Sequence, residues 1–286
     1  MNMNPPDRAG SQPGSGDPVS SGGDGHPLAL TGERTLPDVA DERYWFERHV
    51  VAYELAADLV GQQGAEHRMP DRVGPLTVLD AGCGEGYGLP RLRAAGGERV
   101  IGVDLDPDTV SHARGRYAAT DEQVEVLQGD LTELPLADGE VAVCVSLQVI
   151  EHLDDVGRYL HELRRVTARH GTVAVSTPNR LTFTPGGDTP VNPFHVREFS
   201  PDELRAELTG AGLTVRWLAG VHHGAQLLAE QRALGVDLLG VLTTTAPQEW
   251  SPQVRALVHR VESRMFEVHD VELDASLDLI AVCGVS

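Results

Sequence analysis

From Leu76 to Asn179, short apolar runs alternate with amphipathic stretches, and few folds satisfy that alternation. "LTVLDAG", "RVIGVDLD", "QVEVLQGDL", "EVAVCVSLQ" and "GTVAVSTPN" each read as a strand. "LPRLRAA", "PDTVSHARGRYA" and the stretch from Asp154 to Ala168 read as helices between them, the second with Pro107 in its first turn. Strands rich in Val, Leu and Ile along their whole length are buried on both faces. Alternation with helices then calls for a parallel sheet covered on both sides. The final "DASLDLIAVCG" reads as one more strand, antiparallel to the rest. With "LTVRWLAGVHHG" this predicts a seven-stranded, mostly parallel Rossmann-like sheet with an antiparallel last strand and helices on both faces.

The flanks read differently. Residues 1–29, rich in Gly, Ser, Pro and Asp, have too little apolar surface to offset the entropy of ordering and read as a disordered tail. Residues 30–286 read as one domain, with a helical cap at 30–70 and a helical insertion at 225–270. In the cap, Asp41 is placed to start the helix "DERYWFERHVVAYELAADLV". Ser200, Pro201 and Gly210 frame another helix. The stretch "RLTFTPGGDTPVNPFHVREF" is long for a loop without structure of its own, which marks it as functional or disordered.

Charge narrows the partners. With 43 Asp and Glu against 23 Lys and Arg, the net charge is −20. A chain this acidic, with no Lys/Arg cluster, is repelled by nucleic acid backbones and anionic lipid. No apolar run is long enough for a membrane span and no apolar signal core is visible, so the reading is cytoplasmic. Cys83, Cys144 and Cys283 read as reduced core thiols; no zinc spacing and no compact Asp/His ligand cluster is visible, so no metal ligands are assigned and metal dependence stays open.

The first strand runs into "VLDAGCGEGYG", with Gly82, Gly84, Gly86 and Gly88 at alternate positions. Glycine tolerates positive φ and lets a ligand approach the main chain. In an open α/β sheet such ligands bind at the carboxyl ends of strands, where strand order reverses. Asp80, Asp104 and Asp130 stand at the ends of the first three strands. An acid ending the second strand can accept hydrogen bonds from a ribose diol.

"VLDAGCGEGYG", "VIGVDLDPD", "LQGDLTELPL" and "SLQVIEHLDD" together resemble the class I S-adenosylmethionine-dependent methyltransferases, over roughly Leu76 to Gly224 and the last strand. The resemblance implies S-adenosyl-L-methionine as cofactor. It implies that Gly82, Cys83, Gly84 and Gly86 lie against its methionine part and that Asp80 orients its amino group. Asp104, with Leu105 beside it, would hold the ribose; Asp130 and Leu131 would meet the adenine, and Gln148 the methionine part. A narrower resemblance, carried by "TGERTLPDVADERYWFERH", "STPNRLTFTPGGDTPVNPFHVREFSPDEL" and "DASLDLIAV", is to actinobacterial methyltransferases associated with 6-O-methylglucose lipopolysaccharide. It implies a sugar hydroxyl on a small-molecule or oligosaccharide acceptor. A small carboxylate, phenol or amine acceptor, or a non-catalytic cofactor-binding role, are the alternatives; a nicotinamide-dependent dehydrogenase fits the "QGDL" stretch poorly.

A sugar hydroxyl is a weak nucleophile, and a base within reach contributes roughly 10²–10⁴-fold. His195, with Glu198 three residues on, and His152, beside Glu151, are the candidates; a loop anchor and a buried helix-start histidine are the plainer readings. His222 and His223 follow strand six and are placed to line the same mouth. Tyr44, Trp45 and Phe46 read as a lid over the cofactor or as packing, Arg48 as a cofactor-carboxylate ligand or a surface ion pair, and Asn179 as part of the acceptor pocket. Oligomeric state and the role of the insertion are open at this point.

Overall fold

In a computed structural model, residues 35–67, 74–187 and 189–286 are described. The tail expected at 1–29 lies outside them. The elements run α1 (Arg43–His67), β1 (Thr77–Ala81), α2 (Leu89–Ala94), β2 (Arg99–Asp104), α3 (Pro107–Arg116), β3 (Val124–Gln128), β4 (Val141–Leu147), α4 (Val156–Val166) and β5 (Thr167–Pro178). They continue with α5 (Arg180–Phe183), α6 (Pro201–Gly210), β6 (Thr214–His223), α7 (Ala225–Leu234), α8 (Leu238–Thr244), α9 (Pro252–Val258), β7 (Phe266–His269) and β8 (Asp278–Gly284).

The sheet has eight strands in the order β3-β2-β1-β4-β5-β8-β6-β7. β1 to β5 pair in parallel, whereas β8 is antiparallel to both β5 and β6. Strand order reverses between β1 and β4, so the carboxyl ends of these strands frame the crevice. The count departs from the expected seven because the end of the 225–270 segment is a strand. In β7, Phe266 is buried and Val268 partly so, while Glu267 is exposed, and this period of two pairs antiparallel to β6.

Alternate strand residues feed two cores, as a sheet covered on both faces requires. Val78, Val100 and Val143 pack with Tyr44, Val51, Leu227 and Leu257 of the cap and insertion. Leu79, Ile101 and Cys144 pack with Tyr159, Leu160, Leu204 and Leu208 of α4 and α6. Each such fully buried side chain contributes roughly 1.5–3 kcal/mol. All three cysteines are buried and unpaired.

The helix ends follow local chemistry. Ser200 and Glu203 form a reciprocal capping box at α6, with Pro201 in the first turn. Asp155 caps α4. Asp41 does not cap α1: residues 40–42 form a 3₁₀ turn, the helix starts at Arg43, and Asp41 Oδ1 instead meets His259 Nε2 at 2.7 Å. Among the described residues no helix is long and apolar enough to cross a membrane.

Candidate active site

The glycine turn after β1 divides into packing positions and one open position. A Cβ on Gly88 would sit 2.0 Å from the Tyr53 ring; Gly82 and Gly86 are similarly closed off by Val149 and Tyr117. Gly84 has φ +54°, and a Cβ there would meet nothing within 4 Å. Its amide donates to Asp104 Oδ2 at 3.0 Å, while Asp104 Oδ1 accepts from the Asp106 amide. The Gly82 and Cys83 amides both donate to the Val103 carbonyl, which ties the turn to β2.

Asp80 is fully buried at the end of β1. Its Oδ2 accepts the Tyr53 hydroxyl at 3.0 Å, and its Oδ1 has no hydrogen-bond partner. Burial raises its pKa to about 7, against the lowering by the Tyr53 bond. A buried carboxylate oxygen without a donor, on the strand that leads into the glycine turn, fits a ligand that brings a cationic donor. Leu131 is buried between β3 and the turn, Leu105 is exposed, and exposed Asp130 accepts from the Thr132 amide and hydroxyl, which lowers its pKa.

A cleft of about 600 Å³ opens between the start of α1, the turn after β4 and the loop after β5. It falls within the usual range for small-molecule sites. Gln148 is tied to the glycine turn through its neighbour Val149, which packs against Gly82; it follows β4 with φ +59°, lines the cleft, and donates to Ser176 Oγ and Asp278 Oδ1. α1 contributes Trp45, Arg48 and His49, and Thr243 and Thr244 of α8 also line the cleft, so the insertion forms part of its wall. A more open depression of about 830 Å³ between α1 and α2 contains none of the sequence-predicted site residues.

Backbone pairing builds the reactive edge of the cleft. The amides of Val196 and Arg197 both donate to the Glu151 carbonyl, which folds the loop after β5 back onto the turn after β4. His195 and His152 thereby meet edge to face, with ring centres 5.0 Å apart. His195 Nδ1 lies 2.8 Å from Glu198 Oε1, and the buried Glu198 is held through Oε2 by Thr184 Oγ1 at 2.7 Å. Asn192 Oδ1 accepts the Phe194 amide, so its Nδ2 is the donor to His195 Nε2 at 3.0 Å. The neutral ring therefore carries its proton on Nδ1 and a lone pair on Nε2. His152 Nδ1 lies 2.9 Å from the Phe194 carbonyl. Glu151 is buried, accepts from Thr177 Oγ1, and is pushed up to about 8 by desolvation.

Other expected positions fall elsewhere. His222 stacks on His269, and His223 is bracketed by the Tyr44 hydroxyl at 2.6 Å and Gln231 at 3.0 Å; neither lines the cleft. Burial lowers the pKa of both, that of His223 to about 4. Of the aromatic trio only Trp45 lines the cleft; Tyr44 packs on Phe266 and Phe46 on Tyr87. Arg48 is not a surface residue: it is 4% exposed, between Trp45 and Phe183, with Nε 3.0 Å from Asp278 Oδ2 but outside hydrogen-bond geometry. Its Nη1 is buried without a hydrogen-bond partner. Asn179 is buried and spends its amide on the carbonyls of Leu273, Asp274 and Ser276, so it staples the chain rather than shaping the pocket.

Sequence reading alone passed over Tyr53, Asp278 and Asn192. An acid opening the otherwise apolar β8 was the available sign for Asp278; nothing local distinguishes the other two. Nor did it find the grouping of Glu151, His152 and His195, which replaces the expected lack of a compact ligand cluster.

Residues 79–175 match the family model described as a methyltransferase domain. The chain is 43% identical over 261 residues to a probable S-adenosylmethionine-dependent methyltransferase of Mycobacterium tuberculosis, covering 89% of each chain. A similar protein of Mycolicibacterium smegmatis is 44% identical over 260 residues, covering 89% of this chain and 94% of that one. Among solved structures, a chain from the complex of the Haloferax volcanii Trm112 methyltransferase activator with a methyltransferase aligns with TM-score 0.55 at 23% identity, covering 86% and 93%. Geranyl diphosphate C-methyltransferase of Streptomyces coelicolor aligns with TM-score 0.51 at 17% identity, covering 79% and 77%. These two likenesses establish the fold.

Proposed function

The chain belongs to the S-adenosylmethionine-dependent methyltransferases, and from that premise we propose that it methylates a sugar hydroxyl held in the cleft beside Gln148, with His195 as the base. The observation that carries the reading is the His195 ring, fixed by Glu198 and Asn192 with its Nε2 lone pair at the cleft.

Bound S-adenosylmethionine supplies a methyl group on a positively charged sulfonium, open to in-line attack. On this reading the unpartnered Oδ1 of Asp80 takes the cofactor's ammonium, and Asp104 takes the ribose diol. Asp130, Leu131 and Leu105 bound the adenine. Gly82, Cys83 and Gly84 lie along the methionine part, with Gly86 closing the turn. Gln148 completes that end, and the buried Arg48 Nη1 suits the carboxylate.

The acceptor hydroxyl replaces the Asn192 amide at His195 Nε2 and gives up its proton there. Glu198 then stabilises the imidazolium through Nδ1–H, and His152 closes the other side. Trp45 and Phe183 give the cleft an apolar wall, while Asn192, Thr182, Thr243 and Thr244 supply hydrogen-bonding groups. That mixture suits a sugar, with its C–H faces and hydroxyl rim. Holding acceptor, methyl and sulfur in line supplies much of the rate.

The test is transfer of labelled methyl from S-adenosylmethionine to a panel of glucose- and mannose-containing oligosaccharides, phenols, small acids and amines. Label on an oligosaccharide is the expected result. Label confined to another class would overturn the sugar assignment and leave the enzyme class standing.

A further inference from the structure

Glu151, His152 and His195 each offer one ligand atom, and these atoms lie within 4.8 Å of one another; no other such group is found among the described residues. Proximity alone does not make a metal site. The second observation is how the two imidazoles are held. His152 has Nδ1 on the Phe194 carbonyl, and His195 has Nδ1 on Glu198, itself anchored by Thr184. A ring nitrogen engaged by a carbonyl or carboxylate fixes the tautomer and raises the basicity of the other nitrogen, as around metal-ligating histidines. Both rings thus present Nε2 as a lone pair. Glu151 keeps its backbone carbonyl on the loop amides and one carboxylate oxygen on Thr177, so its position is set by bonds that do not involve the histidines. All three line the cleft, where coordination positions would remain open to an acceptor or water.

We propose that Glu151, His152 Nε2 and His195 Nε2 form a site for a divalent transition-metal ion. Two imidazoles and one carboxylate select Zn²⁺, Co²⁺, Ni²⁺ or Fe²⁺ over Mg²⁺ or Ca²⁺, which prefer all-oxygen shells. Binding requires the Asn192 amide to leave His195 Nε2. The functional consequence rests on the reading of His195 as the base: a nitrogen bound to a metal cannot accept a proton, so occupancy of the site silences methyl transfer.

The test is Co²⁺ titration of the chelator-treated full chain, followed by visible absorption. Bands of histidine-ligated Co²⁺ saturating at one equivalent are expected. Glu151→Gln and His152→Ala should each weaken binding at least tenfold, with calorimetric S-adenosylmethionine binding confirming that each variant is folded. Asn192→Ala, which removes the competing amide, should bind Co²⁺ several-fold more tightly. Absence of bands in the parent protein, or unchanged binding in both ligand variants, would overturn the site. Turnover should fall in proportion to Co²⁺ occupancy. A rise instead would keep the site and overturn His195 as the base, so the two readings fail separately.

Discussion

Asp80→Asn isolates the cost of burying a carboxylate at the cofactor turn. Asp80 is fully buried and its pKa lies near 7, against 3.8 for the unperturbed group, because desolvation outweighs the Tyr53 bond. The folded protein therefore binds this proton more tightly than the unfolded chain. The stabilisation by the proton is complete below the unfolded pKa and is lost as pH rises through about 7. A displacement of about three pKa units corresponds to a ceiling of roughly 4 kcal/mol, of which about 2.5 kcal/mol falls between pH 5 and pH 8. Asparagine keeps an oxygen for the Tyr53 hydroxyl but cannot ionise. The measurement is urea unfolding of both proteins, without cofactor, at the two pH values. The parent should lose stability relative to Asp80→Asn by about 2.5 kcal/mol on going from pH 5 to pH 8. Any pH-independent cost of the buried amide cancels in that comparison. An unchanged difference would refute the reasoning. Cofactor affinity gives the same titration from the other side: an ammonium ligand favours the ionised carboxylate, so affinity in the parent should rise with pH up to about 7, and the variant should lose that rise.

Five further variants test the same geometry. Tyr53→Phe removes a bond that lowers the Asp80 pKa, so the pH at which cofactor affinity levels off should move upward in calorimetry. Gly84→Ala should fold at a cost of roughly 1–2 kcal/mol for its left-handed backbone yet bind cofactor poorly, whereas Gly88→Ala, facing the Tyr53 ring, should lose stability by thermal melt. Asp104→Ala frees the Gly84 amide and should weaken cofactor binding strongly without unfolding; equal affinity would end the ribose assignment. His195→Ala should lower turnover by roughly 10²–10⁴-fold with cofactor affinity little changed, and unaltered turnover on the true acceptor would make His195 structural.

What the sequence carries, and what it withholds, follows from the range of the interactions. Strand alternation, the capping box at Ser200 and the three acids at strand ends are local patterns, and each stands where its pattern places it. The purpose of the glycines is only half local. Gly84 faces open space, as a backbone approached by a ligand should, but Gly88 is required by Tyr53, a residue of α1 that the sequence marks only as part of an apolar stripe. β7 was hidden because its four residues close a long helical segment, and a period of two over four residues is weak until β6 pairs with it. The convergence of Glu151, His152 and His195 has no side-chain signature, because it depends on two loop amides meeting the Glu151 carbonyl. Every residue except proline can donate such a bond, so no residue type announces it. The position of the loop after β5 at this edge is thus set by main chain, and its chemistry by the one side chain that Glu198 orients.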